Sequence, residues 1–175
     1  MQRTVPGDWL MIRIGVLADT HLPDNRKATA FLQELAARHF RDAAMILHAG
    51  DIVAPGVLEA LAPCPLYGVR GNMDPAAPGF PYQRVVAVDG VRIGLIHGWG
   101  APAGLADRVL AEFANTRLDC LVFGHSHVPV CRREGPLLLF NPGSATDRRG
   151  QPSTSVGVLE VANGAIQGRI IWLAG

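Results

Sequence analysis

The chain has 175 residues, enough for one domain with a sizeable core, and 49% of them are apolar, which argues against disorder. Its 16 basic and 15 acidic residues nearly cancel, so net charge gives no case for a nucleic-acid or membrane-surface protein. Cys64, Cys120 and Cys131 are an odd set without CxxC spacing, which speaks against a disulfide framework and suits a reduced, cytoplasmic setting.

Residues 1–10 read as a loose extension; they lack the order of a signal peptide, because Arg13 interrupts the apolar part that follows. No apolar run is long enough to span a membrane. Residues 11–175 are expected to form a single domain. "IRIGVLA" (Ile12–Ala18) reads as a buried strand, short and rich in β-branched residues. Asn25 to Phe40 carries Ala28, Phe31, Leu32, Leu35 and Ala36 at helical spacing. A second buried strand spans Ala43–Asp51, a short helix follows Pro55, and a third strand spans Pro65–Asn72. This alternation predicts a largely parallel sheet. From Arg84 to Gly98 two strands flank Asp89-Gly90, a hairpin dipeptide. A helix is predicted from Leu105 to Asn115 and a buried strand over Leu118–Gly124. "GPLLLFNPGS" and the final segment, with Asn163-Gly164 as a second hairpin turn, add further strands. A mixed α/β sandwich of two sheets and flanking helices accommodates these elements.

The polar residues gather at the ends of the apolar strands. One strand ends in Asp19-Thr20-His21, the next in Gly50-Asp51, and a third in Gly71-Asn72-Met73-Asp74. Later strands end in His97-Gly98 and in Gly124-His125-Ser126-His127. In α/β sheets, sites form at the carboxyl ends of strands, where loops converge. Imidazole with carboxylate suits zinc, manganese, iron, nickel or cobalt. Asp19, His21, Asp51, Asn72, His97, His125 and His127 are too many ligands for one ion. They suit two ions about 3.5–4 Å apart that share a bridging carboxylate. His125 and His127 leave one loop, and each can serve a different ion. Two divalent ions with two aspartates leave a net charge of about +2, or about +1 with a bridging hydroxide. Such a centre attracts an anion and can stabilise charge on a phosphoryl oxygen.

These five motifs, in this order over about residues 12–145, resemble the calcineurin-like metallophosphoesterases. The short length and "NPGS" (Asn141–Ser144) resemble the small prokaryotic phosphodiesterase branch, whose fold the retromer scaffold subunit of eukaryotes shares. The resemblance implies a four-layer αββα sandwich. It implies that Asp19, His21 and His127 hold a first ion, that Asp51 bridges, and that Asn72, His97 and His125 hold a second. Mn²⁺ is the first expectation for both ions, with Ni, Fe, Co or Zn as alternatives. The implied activity is hydrolysis of a phosphoester by a metal-bridging hydroxide, with Asp51, Asn72, Asp74 and His97 at the catalytic centre. The substrate expected is a small phosphoester or a nucleotide. The sequence leaves nucleic-acid binding and homo-oligomerisation open, and the alternative reading is a weakly active or non-catalytic scaffold of the same fold.

One position departs from many phosphatases of this superfamily. They carry a histidine after the motif asparagine that helps protonate the leaving group, whereas this chain has Met73 and the small branch usually has cysteine. Losing a positioned acid costs about 10²–10⁴-fold in rate. Diesters and activated leaving groups are therefore expected over general monoesters, and Asp74 is expected to support a turn. His48 is expected to pack or to support the site, and His39 to close its helix favourably. Arg148, Arg149 and Arg70 are read first as exposed, with phosphate contact as the second reading. Trp99 is read either as a pocket wall for a base or aromatic ester or as core packing, and Asn141 as the residue that fixes the "NPGS" turn.

Overall fold

Alternation sets the layers. In the computed structural model, which describes residues 11–173, Ile14 and Val16 of β1 (Ile12–Leu17) face one apolar cluster and Leu17 faces another. The expected extension at 1–10 lies outside the described residues. β1 is followed by α1 (Arg26–His39), β2 (Met45–His48), a 3-10 helix (Pro55–Leu61) and β3 (Leu66–Gly68). Next come β4 (Gln83–Val88), β5 (Val91–Ile96), α2 (Leu105–Ala111), β6 (Cys120–Val122), β7 (Val130–Glu134) and β8 (Leu137–Asn141). The hairpin of β9 (Ser155–Ala162) and β10 (Ala165–Trp172) completes the order.

The strands form two mixed five-stranded sheets, ordered β10-β9-β1-β2-β3 and β4-β5-β6-β8-β7. Their inner faces meet in a core that includes Ile14, Val16, Leu47, Ile93, Leu95, Val122 and Phe140. The outer face of the first sheet is covered by α1 and the 3-10 helix through Leu32, Leu35, Val57 and Leu58. The outer face of the second is covered by α2 through Leu105 and Val109. This is the expected αββα sandwich. Asn25 caps α1 by accepting the Ala28 N–H at 2.9 Å, and Arg38 and His39 sit in the last turn, where cations suit the helix dipole.

Strands are shorter than the apolar runs that announce them, because the last residues of each run leave the sheet while staying buried, as Ala18, Ala49 and Phe123 do. α2 also stops four residues before the predicted Asn115 and gives way to turns, which still bury Phe113 in the same cluster. Strand β7 was not among the predicted elements. Only its first residue, Val130, is half-buried, and Cys131, Arg132, Arg133 and Glu134 are exposed, so it carries no apolar signature. It pairs only with β8 and ends its sheet, where charged side chains discourage further pairing. Cys120 is buried in the core, and all three cysteines are free thiols.

Phe140 shows how tightly the sheets meet. A Cβ at Gly168 would stand 2.7 Å from its ring, and one at Gly157 would stand 2.6 Å from its Cζ. Removing this fully buried ring leaves a cavity that rigid strands cannot close. Phe140→Ala is expected to cost about 3–5 kcal/mol, read as a shift in urea midpoint at unchanged m-value.

Candidate metal centre

β1, β2 and β3 run parallel, as do β5 and β6, so each set brings its carboxyl ends to one edge. Asp19, His21, Asp51 and Asn72 follow strands of the first sheet; His97, His125 and His127 follow strands of the second. The two sets are stitched together by the backbone and by the ligand candidates themselves. Asp19 N–H donates to Gly50 O at 2.9 Å, and His21 N–H to Asp51 O at 3.0 Å. Across the seam, His97 Nδ1–H donates to Ala49 O at 2.8 Å and His125 N–H to Asp19 Oδ1 at 3.1 Å.

Five of the seven residues hold left-handed backbone: Asp19 (φ 50°), His21 (45°), Asp51 (55°), His125 (70°) and His127 (59°). Each such residue costs on the order of 1–3 kcal/mol, and strain of this kind concentrates at functional sites. Asp and His tolerate this conformation better than most residues, and it aims successive side chains inward from a tight turn.

The side chains converge in two groups that share Asp19. Ligand atoms of Asp19, His21 and His127 lie within 4.8 Å of one another, and so do those of Asp19, Asp51 and His97. Asp51 faces both groups, with Oδ2 3.9 Å from His21 Nε2 and Oδ1 3.4 Å from His97 Nε2. Asn72 Oδ1 stands 3.2 Å from His97 Nε2. His125 packs edge-on against His97, with ring centroids 5.3 Å apart. Its Nε2–H donates to Gly100 O at 2.8 Å, which leaves Nδ1 as its free ligand atom, and it belongs to neither close group.

Hydrogen bonding fixes what these groups accept. A backbone carbonyl only accepts, so His97 Nδ1 carries a proton to Ala49 O, and His127 Nδ1 carries one to Asp147 O at 2.9 Å. In the neutral rings both Nε2 atoms are then bare lone pairs. His127 Nε2 points at His21 Nε2, 3.2 Å away, and at Asp19 Oδ1, 3.5 Å away. His97 Nε2 points at oxygens of Asn72, Asp51 and Asp19. Asp19 Oδ2 is buried without any hydrogen-bond partner. Lone pairs and an orphaned carboxylate oxygen directed at one another offer a place for a cation, and a nitrogen and oxygen donor set is what a divalent transition ion takes. The residues fit the metal that the sequence implies.

Without a cation, protons take its place. Burial pushes the Asp19 carboxyl up to about 7. At His97 burial acts downward, but the Asp51 and Asp19 carboxylates outweigh it and hold the imidazolium form to higher pH. At Asp51 burial acts upward and is outweighed by the bond to His97, so its carboxyl lies below the ordinary value. Burial lowers His127. The folded chain keeps the Asp19 proton to about pH 7 and the unfolded chain only to about 3.8, so folding takes up a proton between these values. Stability from this group therefore falls as pH rises through that window. Metal-free Asp19→Asn is expected to be more stable than metal-free wild type at about pH 8, by up to about 4 kcal/mol, with the gap closing toward about pH 4. Urea midpoints under chelation at the two pH values check this.

Around this centre lies a support layer. Asp74 Oδ1 accepts the N–H groups of Ile52 and Val53, both at 2.7 Å, and Oδ2 accepts Gly71 N–H at 2.7 Å. Its carboxylate thus clamps the turns that carry Asp51 and Asn72. His48 is fully buried; its Nδ1 accepts Gly50 N–H at 3.2 Å and its Nε2–H donates to Thr20 Oγ1 at 3.0 Å. Burial holds His48 neutral, down at about 3. Asn141 Oδ1 accepts Gly143 N–H at 2.9 Å, which fixes the "NPGS" turn, and its Nδ2 reaches Gly124 O at 2.9 Å beneath His125. Ser144 Oγ–H donates to Asp19 O at 2.7 Å.

A cavity of about 310 Å³ opens over the centre, lined by His21, Asp51, Asn72, Met73, His125, Asp147 and Arg149. Arg149 is exposed, as expected, and it also lines this cavity. Its Nη1–H donates to His125 O at 3.4 Å and its Nε stands 3.4 Å from Asp147 Oδ2. Arg148 turns away, to Gln151 O and Pro152 O. Asp147 was not singled out in the sequence, and only its position behind "NPGS" hinted at a role.

Residues 12–164 match the calcineurin-like phosphoesterase superfamily domain. A probable metallophosphoesterase of Methanothermobacter thermautotrophicus is 36% identical over 160 residues, spanning 90% of this chain and 91% of that one. Phosphodiesterase YfcE of Escherichia coli is 33% identical over 101 residues, covering 53% of this chain and 50% of that one. The structure of vacuolar protein sorting 29 from Cryptosporidium parvum superposes with a TM-score of 0.69 at 20% identity, over 96% of this chain and 100% of the other, a likeness of fold. Sequence match, fold and the convergent ligand atoms lead to one statement: the chain belongs to the calcineurin-like phosphoesterase superfamily.

Proposed function

We propose that this protein is a dinuclear, metal-dependent phosphodiesterase. The observation that carries the reading is the pair of histidine–aspartate groups meeting at Asp19, with bare imidazole nitrogens facing a partnerless carboxylate oxygen. Asp19, His21 and His127 would hold one divalent ion and Asn72, His97 and His125 the other, with Asp51 as the ligand they would share; Mn²⁺ is the first candidate. Bound there, the two ions supply an acidified water and offset charge on phosphoryl oxygens. Arg149 in the cavity wall takes a non-bridging phosphoryl oxygen, a geometry its planar fork suits. Asp74 and His48 act by holding turns. Met73 lines the cavity and has no proton to give, so the leaving oxygen departs with little help from the protein. That favours diesters with good leaving groups over monoesters. Three free thiols suit a reducing cytoplasm, and no helix among the described residues is long and apolar enough to cross a membrane.

Metal analysis of purified protein is expected to give up to two ions per chain. Bis(p-nitrophenyl) phosphate is expected to be cleaved faster than p-nitrophenyl phosphate in manganese. Full turnover after exhaustive chelation would falsify the proposal. Met73→His restores a proton donor at the rim and is expected to raise hydrolysis of alkyl esters about tenfold, with a smaller change for p-nitrophenyl esters. Equal changes for both leaving groups would show that no acid was missing.

A further inference from the structure

Trp99 follows His97-Gly98 and is 37% exposed; Tyr82, at 44% exposed, stands beside it with ring centroids 6.3 Å apart and planes tilted by 40°. Scattered exposed aromatics are ordinary, but this pair is fastened. Arg108 donates to Trp99 O through Nε at 3.2 Å and Nη2 at 2.9 Å, to Ala103 O at 2.9 Å, and to Ala101 O. One guanidinium thus pins three carbonyls of the turn that presents the indole. Gly98 (φ 103°) and Gly100 (φ 79°) bracket Trp99 in backbone that other residues rarely adopt, so the turn has one shape.

Both rings also sit next to ligand-bearing turns. Gly100 O, one residue past Trp99, accepts from His125 Nε2 at 2.8 Å. Pro81 O, one residue before Tyr82, accepts Arg70 N–H at 3.0 Å, and Arg70 lies two residues from Asn72. The aromatic pair is therefore tied by backbone to the turns of Asn72, His97 and His125. The two rings pack against each other, and each is exposed enough to offer a flat ring a surface on which to stack. A platform already held rigid adds affinity without an ordering cost.

We infer that Trp99 and Tyr82 form a stacking subsite for a planar ring, a nucleobase above all, carried by the phosphoester whose phosphorus sits over the metal centre. This rests on the phosphoesterase reading and narrows its substrate to nucleotidyl or aryl phosphodiesters. Stacking of a base on an aromatic side chain is sequence-tolerant and strong enough for roughly a tenfold or larger effect.

The test is equilibrium binding by calorimetry in excess manganese, so that it does not depend on turnover. The probes are adenosine 5′-monophosphate, a product-like monoester, and ribose 5-phosphate, which lacks the base. Wild type is expected to bind the first about tenfold tighter. In Trp99→Leu and in Tyr82→Leu that preference is expected to shrink severalfold to tenfold, while ribose 5-phosphate affinity moves much less. Both side chains are exposed, so the variants keep the fold, and a matching thermal melt checks this. Equal affinity for the two probes in wild type, or equal loss for both in the variants, overturns the inference. Absent diester turnover with a Trp99-dependent base preference supports the subsite and counts against the hydrolase reading alone.

Discussion

Asp51→Ala is expected to lower phosphodiester turnover by about a thousandfold or more and to reduce bound metal below two ions per chain. Asp51 is the one carboxylate whose two oxygens face opposite halves of the site, toward His21 and toward His97. It is 3% exposed, so its oxygens face protein groups rather than bulk water. Without it, the two ions proposed for this site would lose a shared negative ligand and repel each other more strongly. Metal stabilisation of a transition state is worth several kcal/mol, which converts to at least three decades in rate. Asp51→Asn is the control for packing, since it keeps the volume and an acceptor for Met73 N–H, now at 2.8 Å. Both variants should fail in metal analysis and in the bis(p-nitrophenyl) phosphate assay. Retention of two ions and wild-type turnover by either variant would remove Asp51 from its proposed bridging role.

Gly71→Ala is expected to be nearly as damaging although it touches no ligand chemically. A Cβ at Gly71 would overlap Asp51 Oδ1 and the Asp51 backbone nitrogen, and would stand 2.9 Å from Asp51 Cγ. The neighbour is backbone, held on its other side by the Asp74 clamp, so neither partner can step aside cheaply. The strand end must shift, moving Asn72 and Asp51 apart. A displacement near 1 Å at reacting groups costs about a hundredfold in rate. Overpacking adds roughly 1–3 kcal/mol of destabilisation. The kinetic loss at saturating manganese and the urea midpoint separate the two effects. An unchanged midpoint with unchanged turnover would mean that this turn is softer than its contacts imply.

Much of this architecture is written in the order of apolar runs and the polar residues that close them. β1, β2, β5 and β6 are legible because each lies in a short apolar run that is closed by aspartate or histidine. β7 is not, since a strand at a sheet edge that turns four exposed residues outward has no hydrophobic period to read. The early end of α2 is equally silent, because Phe113 stays buried whether its backbone is helical or turning. At the site, residue type and strand-end position suffice to nominate the seven side chains that the fold brings together. What they do not reveal is orientation. Asp19, rather than Asp51, proves common to both close groups, and His125 spends one nitrogen on Gly100. Arg149 reaches the cavity because the chain reverses after "NPGS" with Arg149 itself at φ 37°, a backbone fact with no signature in the letters. Asp74 reads in sequence as a neighbour of the missing acid, yet its oxygens are taken by three amides, a count that only coordinates supply.

The seam between the sheets also has a meaning for how the chain matures. During synthesis the first strands to emerge carry Asp19, His21, Asp51 and Asn72, before the imidazoles of the second sheet exist to face them. The remaining imidazoles arrive only with β5 and β6, and the sheet that holds Asp19 is closed later still, when β9 returns to lie beside β1. A cation that needs ligands from both sets would therefore be captured only by an almost complete chain, and its retention would report that both halves have docked in register.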